Sequence, residues 1–364
     1  MAETVQDIVD GIGRYDDGAL VDLIERYRIR AASEYAEKDY LLERDGVGFS
    51  PRGNVMALTA EKKAGKSWFG MSMCAALLAG QFLGMRSRNT DARVLFFDTE
   101  QDESDGQRIQ RRVHCVCGWK FDEDDDRFQI FHLRELKSED RRRFVVQTIE
   151  YLKPDFVVVD GVRDLLQDFN DIEQSAALVG DLMRLSSEQK CAIWAVLHVN
   201  PNSEKMRGHL GTELGNKVAD ILYMTKQKSA GNEDDVTYTM EEVAARSHRD
   251  IHSIKFRIDD NAPYGLPVLL GESDLQEMDD REREVIDAKM RLYVPSPGSI
   301  STTKLLEAIK AGEKIGTTKA YRLITQATVL GVIERAMNGK LMYVGLKKAP
   351  ELPFDGPTDE KVPY

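Results

Sequence analysis

The chain has little cysteine, no basic excess and almost no long uncharged run. Its four cysteines in 364 residues, Cys74, Cys115, Cys117 and Cys191, are too few for a disulfide framework. They point to a reducing, cytoplasmic setting. Cys115-Val-Cys117 beside His114 has neither the paired CxxC spacing of a zinc knuckle nor a second Cys/His pair, so no zinc is expected there. The N-terminus, MAETVQDIVDGIG, lacks a basic stretch followed by an apolar one, which argues against a signal peptide. Ser67–Met85, 19 residues without a charge, approaches the length that spans a bilayer. It contains Gly70, Gly80 and Gly84 and begins on a phosphate-binding motif, so the expectation is a buried helix in a soluble core and no membrane partner.

What is present is ordinary for a globular protein: 42% hydrophobic and 31% charged residues. At about 150 residues per domain the length suggests two domains. The net charge of −12 excludes a uniformly basic coating but not a local one. Ile300–Lys348 holds seven Lys and two Arg against three Glu, a net of +6.

Apolar residues at helical spacing (Ala19-Leu20, Leu23-Ile24, Tyr27, Ile29) predict mainly helix in the first fifty residues, with an N-terminal helical segment over 1–45. From Asn54 short apolar runs alternate with longer helical stretches: NVMALT, RVLFFD, QIFH, FVVVD and AIWAVLH. Continuous apolar strands between helices predict an α/β core over 46–272, a mostly parallel sheet covered on both faces. After Ala219, the closely spaced ADILYM, VTYTME, SIKFRI and LPVLL, with KSAGNEDD as a hairpin tip, predict antiparallel strands finishing that sheet. Residues 273–299 are charged and then rich in Pro, Gly and Ser, the composition of a linker. Residues 300–348 read as helix, turn, helix and a hairpin about Asn338-Gly339, a winged helix-turn-helix. A flexible tail, 349–364, follows.

Ala60, Glu61, Lys62, Lys63, Ala64, Gly65, Lys66 and Ser67 follow a strand and open a helix, the context a Walker A loop requires. Together with Trp68 they form the candidate nucleotide-binding segment. Successive amides and the helix N-terminus offer a positive concavity to phosphates. Lys66 would reach the β- and γ-phosphates of ATP and the Ser67 hydroxyl would ligate Mg²⁺. Ala60 replaces the first glycine of the pattern, a position that accepts a Cβ if its φ is negative. Asp160 ends FVVVD, where a Walker B carboxylate holds Mg²⁺ through water. Glu100, 34 residues after Lys66 and at the end of the strand after the P-loop helix, is placed to orient and deprotonate the attacking water.

The strand ending Leu197-His198-Val199-Asn200 puts a polar pair at the same sheet edge, with His198 or Asn200 as a γ-phosphate sensor. The following segment, 200–217, is rich in glycine and basic residues. It reads either as a loop lining a central pore and touching a nucleic-acid strand or as an ordinary connection.

AEKKAGKS, FFDTEQ, VVVDGVRDLL, LHVNPNSEKMRG and the C-terminal module together resemble the RepA-like group of RecA-fold ATPases, which are often carried by plasmids and mobile elements and are relatives of the hexameric DnaB-type helicases. The resemblance covers about residues 45–270. It implies a RecA-like P-loop core, ATP and Mg²⁺ as cofactors, and a homo-hexamer or other ring in which one subunit's arginine completes its neighbour's site. In the family that arginine lies in a K-x-R segment before a late strand. Here Arg249 falls on that position while Ser247 replaces the lysine. Arg246 is a substitute charge and Arg207 a competing finger.

In the C-terminal module, Thr317–Leu330 presents Thr317, Thr318, Lys319, Arg322, Thr325 and Gln326 on one side and Ala320, Leu323, Ile324, Ala327 and Leu330 on the other. Thr318, Lys319, Arg322 and, on the wing, Lys340 are the candidate DNA contacts, extended by Lys347 and Lys348. The leading expectation is an oligomeric DNA-binding ATPase, a helicase or translocase serving replication or mobilisation of a mobile element. The competing readings are an ATP-switched loader, remodeller or regulator that does not unwind, and a P-loop kinase of a small molecule. The kinase has no use for Glu100, the late arginines or the C-terminal module.

Overall fold

The structure, a computed structural model, describes residues 15–200, 206–229, 232–246, 248–338 and 341–346. Two units are distinguished, Met1–Asp39 and Tyr40–Tyr364. In the first, helix α1 (Asp17–Tyr27) is started by the Asp16 carboxylate, which accepts from the Ala19 amide at 2.9 Å.

The helical expectation for the first fifty residues ends with α1. In the second unit β1 (Tyr40–Arg44) and β2 (Val47–Pro51) pair as an antiparallel hairpin. Asp45 and Gly46 turn it with φ of 51° and 79°, the two left-handed residues of a tight hairpin turn. There follow β3 (Asn54–Ala60), α2 (Lys66–Ala79), β4 (Gln81–Phe82), β5 (Met85–Ser87), β6 (Val94–Asp98), α3 (Glu103–Cys117), β7 (Phe128–His132), α4 (Ser138–Leu152), β8 (Phe156–Asp160), α5 (Ile172–Gln189) and β9 (Ala192–His198). Then come α6 (Gly208–Lys217), β10 (Asp220–Ser229), β11 (Asn232–Ala245), β12 (Ile254–Asp259) and β13 (Leu266–Leu269).

Nine of these strands form one sheet in the order β13-β12-β11-β10-β3-β9-β8-β6-β7. From β10 to β7 every pairing is parallel, and β11, β12 and β13 are added antiparallel. The late strands thus finish the sheet antiparallel as expected, except that β10 joins β3 in parallel. The alternation along β8 explains its unbroken apolar run. Phe156 and Val158 pack into one core with Phe69, Trp194 and Phe96, while Val157 and Val159 pack into another with Leu178, Leu182 and Leu210. A strand buried on both faces has no polar side to show. The uncharged stretch Ser67–Met85 is α2, largely buried, followed by β4 and β5. Among the described residues no helix is long and apolar enough to cross a membrane.

Two further expectations change. Gly208–Lys217, read as part of a loop, is helix α6, packed through Leu210 and Leu214. Gly211 makes this possible, since a Cβ there would lie 2.5 Å from the Met206 carbonyl carbon. Residues 273–299, read as a linker, are mostly helix α7 (Glu272–Tyr293). Its charges surround a sparse stripe, Ile286 and Met290, one helical turn apart, which is buried together with Val294.

That stripe enters the core of a C-terminal module built from β14 (Ser299–Ser301), α8 (Thr302–Glu313), α9 (Thr317–Val329), β15 (Ile333–Asn338) and β16 (Leu341–Leu346). Its sheet has the order β14-β16-β15. Leu305, Ile309, Ala320, Leu323, Ile324 and Ala327 close the core from the helices.

Candidate nucleotide site

Parallel register gathers the site at one edge. Ala60 ends β3 opposite His198 at the end of β9, and Asp160 ends β8 opposite Asp98 at the end of β6. The chain leaves β3 through 61–65 and re-enters helix at Lys66. Ala60 is buried and is not among the positive-φ residues, so its Cβ is accommodated as extended backbone. Lys63 and Gly65 supply the left-handed steps, φ 60° and 90°. Gly65 is required twice over, because a Cβ would also lie 2.6 Å from Tyr238 Cδ1.

Lys66 is buried; its Nζ donates to the Glu61 carbonyl at 3.2 Å and contacts His198 Nδ1 at 2.9 Å. An ammonium has only donors, so Nδ1 accepts and the imidazole is neutral with its proton on Nε2. That nitrogen faces Glu100 Oε1 at 3.9 Å. Burial pushes the His198 pKa down to about 4, helped by the Lys66 charge. Burial also lowers Lys66, against the pull of Asp160 and Glu100.

Burial raises Glu100, and the neighbouring Asp164 charge adds to it. A carboxylate with raised affinity for a proton is the better base toward water. Its position is fixed from below. Asp98 Oδ1 accepts from the amides of Glu100 and Gln101 at 3.0 and 2.9 Å. The Thr99 amide donates to the Asp160 carbonyl at 2.8 Å, and Thr99 Oγ1 accepts from the Gly161 amide at 3.0 Å. Asp98 and Thr99 thus tie the strand end carrying Glu100 to the strand end carrying Asp160. The sequence marks them only as neighbours of Glu100.

The Ser67 hydroxyl donates to Asp160 Oδ2 at 2.5 Å. Burial raises the Asp160 pKa to about 6, against the Ser67 hydrogen bond and the Lys66 charge. A hydroxyl and a carboxylate together are the hard-oxygen donor set that Mg²⁺ prefers, and the pair fits the ion.

One flanking feature carries no sequence motif. Trp68, next to Ser67, is covered by the Arg112 guanidinium, 3.8 Å from the ring centroid, and Arg112 Nε donates to the Tyr264 carbonyl at 3.0 Å. Trp68, Arg108, Arg112, Ile258 and Tyr264 line a cleft of about 390 Å³. Its members come from three distant segments, so spacing does not reveal it.

The arginines separate. Arg207 immediately precedes α6, its amide donating to the His198 carbonyl at 3.0 Å, with its guanidinium 5.4 Å from the Phe169 ring. It therefore lies near the P-loop edge. Arg246 and Arg249 follow β11, whose last residue Ala245 pairs with Asp220 at the start of β10, the opposite edge. Arg246 donates to the Asn216 carbonyl, and Arg249 is exposed. Neither reaches the P-loop of its own chain. Thr317, Thr318, Lys319, Arg322 and Thr325 are exposed on α9, whereas Gln326 donates to Glu282 at 3.2 Å. Lys340, Lys347, Lys348 and Ser247 lie outside the described residues, as does 201–205 of the expected pore loop.

Two tests follow from this geometry. Glu100→Gln retains nucleotide affinity and loses hydrolysis by about 10²-fold or more, read by nucleotide titration and phosphate release; wild-type turnover contradicts the assignment. His198 stays neutral down to about pH 5 in an imidazole NMR titration, because its folded pKa lies near 4. Since the folded state then binds this proton more weakly than the unfolded one, stability falls as pH drops from about 6.5 through that value. A midpoint near 6.5 would contradict the buried contact with Lys66.

Residues 30–204 match the AAA_25 family, described as an AAA domain. No curated protein matches the chain in sequence. Among solved structures, a KaiC-like protein from the hyperthermophilic archaeon Pyrococcus horikoshii is similar at 14% identity, covering 65% of this chain and all of its own, with a TM-score of 0.44. The RadB recombinase is similar at 15% identity, covering 57% of this chain and 88% of its own, with a TM-score of 0.42. The AAA-domain match agrees with the strand–loop–helix at Ala60–Ser67 and supports a P-loop ATPase core.

Proposed function

We propose that the chain is an oligomeric, DNA-binding ATPase of the RepA-like kind that uses ATP hydrolysis to move along DNA or unwind it, in the replication or mobilisation of a mobile element. The observation that carries the reading is the convergence of Lys66, His198, Glu100, Ser67 and Asp160 at one sheet edge. The P-loop amides and Lys66 bind the phosphates. Ser67 and Asp160 hold Mg²⁺, which supplies neutralisation of charge on the phosphate oxygens. Glu100 takes the proton of the attacking water. His198 accepts from Lys66 and turns its Nε2 toward Glu100, so it lies between the phosphate-binding lysine and the base. The cleft between Trp68 and Tyr264 suits a flat nucleobase, which stacks on aromatic and guanidinium planes.

The position of Arg249 favours action in trans. It is exposed at the edge opposite its own P-loop, so it serves catalysis only in a ring or filament that brings it to a neighbour. Arg249→Ala then lowers turnover by about 10³-fold or more and spares nucleotide binding. Mixing it with Lys66→Ala subunits, which retain Arg249, restores part of the activity at hybrid interfaces. Normal turnover by Arg249→Ala, or a monomeric mass in saturating ATP, contradicts the trans mechanism.

For DNA, the support is the exposed Thr318, Lys319 and Arg322 at the start of the second helix of a helix–turn–helix–hairpin module. We read this module as a winged helix with α9 as its recognition helix. Replacing Lys319 and Arg322 with alanine weakens DNA binding and reduces the slope of log affinity against log salt by about two. An unchanged slope removes these residues from the phosphate contacts.

A further inference from the structure

At the sheet edge opposite the P-loop, three side chains from separate elements converge without any part in the nucleotide site. Asp220 opens β10, Glu242 lies on β11, and His248 follows β11. All three side chains are essentially buried, 0%, 1% and 5% exposed. Each is oriented through its outer atom by the backbone. The Ser50 amide donates to Asp220 Oδ2 at 3.4 Å, the Ile251 amide donates to Glu242 Oε2 at 2.8 Å, and His248 Nδ1 donates to the Arg249 carbonyl at 2.9 Å. Their inner atoms face one another: His248 Nε2 lies 3.2 Å from Asp220 Oδ1 and 3.6 Å from Glu242 Oε1. Among the described residues, Glu242 Oε1 and His248 Nε2 have no hydrogen-bond partner.

A carbonyl accepts only, so Nδ1 carries a proton, and in the neutral ring Nε2 presents its lone pair to two carboxylates. Two arrangements resolve that contact. A second ring proton would make charge-assisted hydrogen bonds, whose N···O distances run about 2.7–2.9 Å; Asp220 at 3.2 Å lies just beyond that range and Glu242 at 3.6 Å well beyond it, so a proton would serve one carboxylate and leave the other. A tetrahedral ion with bonds of about 2.0–2.1 Å places its ligands about 3.3 Å apart, and the separations of 3.2 and 3.6 Å bracket that value. Two carboxylates and a neutral imidazole also match the charge of a divalent ion. A ligating histidine whose other ring nitrogen donates to a backbone carbonyl is the usual outer arrangement of zinc sites.

The geometry points to a divalent transition-metal site of zinc type formed by Asp220, Glu242 and His248, with the fourth position open to water. Its structural effect is to fasten the turn carrying Arg246 and Arg249 to the ends of β10 and β11. The site stands whether or not the ATPase reading holds, because none of its ligands touches the P-loop.

The test uses the full chain without nucleotide, dialysed against Zn²⁺ or Co²⁺ and then against metal-free buffer. The expected result is one retained ion per chain. Co²⁺ gives an intense four-coordinate visible spectrum without thiolate charge-transfer bands, abolished by a chelator or by competing Zn²⁺. His248→Ala and Glu242→Gln each lose that spectrum, and Zn²⁺ but not Mg²⁺ raises the melting temperature of the wild type alone. Circular dichroism confirms that each variant is folded. If a variant does not fold, the wild-type measurements decide by themselves: no retained ion, or a spectrum carrying thiolate bands, overturns the proposal. An unaltered Co²⁺ spectrum in folded His248→Ala overturns it as well.

Discussion

Everything at the nucleotide edge depends on the parallel register of β3, β9, β8 and β6. Ala60 opposite His198 sets where Lys66 and the imidazole meet, and Asp98 opposite Asp160 sets where the strand ends carrying Glu100 and Asp160 meet. A slip of one residue in any of these pairings would turn its strand's side chains to the other face. Both faces are tightly packed cores, so such a slip exchanges large apolar side chains for neighbours that do not fit them. The geometry of the proposed site is therefore held by the same packing that holds the sheet. Thr99 and Asp98 add the finer adjustment, joining two strand ends through backbone groups that cannot drift independently.

The charges at this edge are partly sheltered from water, and that shelter tunes them. Lys66, Glu100, Asp160 and His198 all shift in the direction that favours their neutral forms, with burial the largest cause in each. Groups in that condition respond strongly to an incoming phosphate or divalent ion, because each gains a counter-charge that solvent does not provide. A group of perturbed side chains in one place is a common mark of a functional site, and this group coincides with the P-loop.

Much of this was legible in the sequence, for physical reasons that also explain what was not. Strands buried on both faces read as unbroken apolar runs, so β3, β6, β8 and β9 stood out, and the P-loop followed from Gly65-Lys66-Ser67 lying between a strand and an apolar helix. The β1–β2 hairpin was masked by helical spacing upstream, although Asp45-Gly46 is itself a hairpin signal. Helix α6 was disguised by Gly208, Gly211 and Gly215, of which Gly211 is needed for close approach to Met206 rather than for flexibility. Helix α7 was hidden by its charge, since two apolar positions one turn apart suffice to anchor it. The Trp68–Arg112–Tyr264 cleft and the Asp220–Glu242–His248 cluster depend on tertiary convergence of segments that no motif links.

The charge distribution fits the same picture. The basic excess of the chain is confined to the C-terminal module, while the remainder is acidic, so any hold on a polyanion must be local. The central claim is that a nucleotide bound by Lys66 and Ser67 is hydrolysed through Glu100 and that this hydrolysis serves work on DNA. The most direct measurement is steady-state ATP turnover of the full chain without DNA, with single strands and with duplex. The account predicts turnover that rises on adding DNA. Turnover that is absent, or identical under all three conditions, would contradict it.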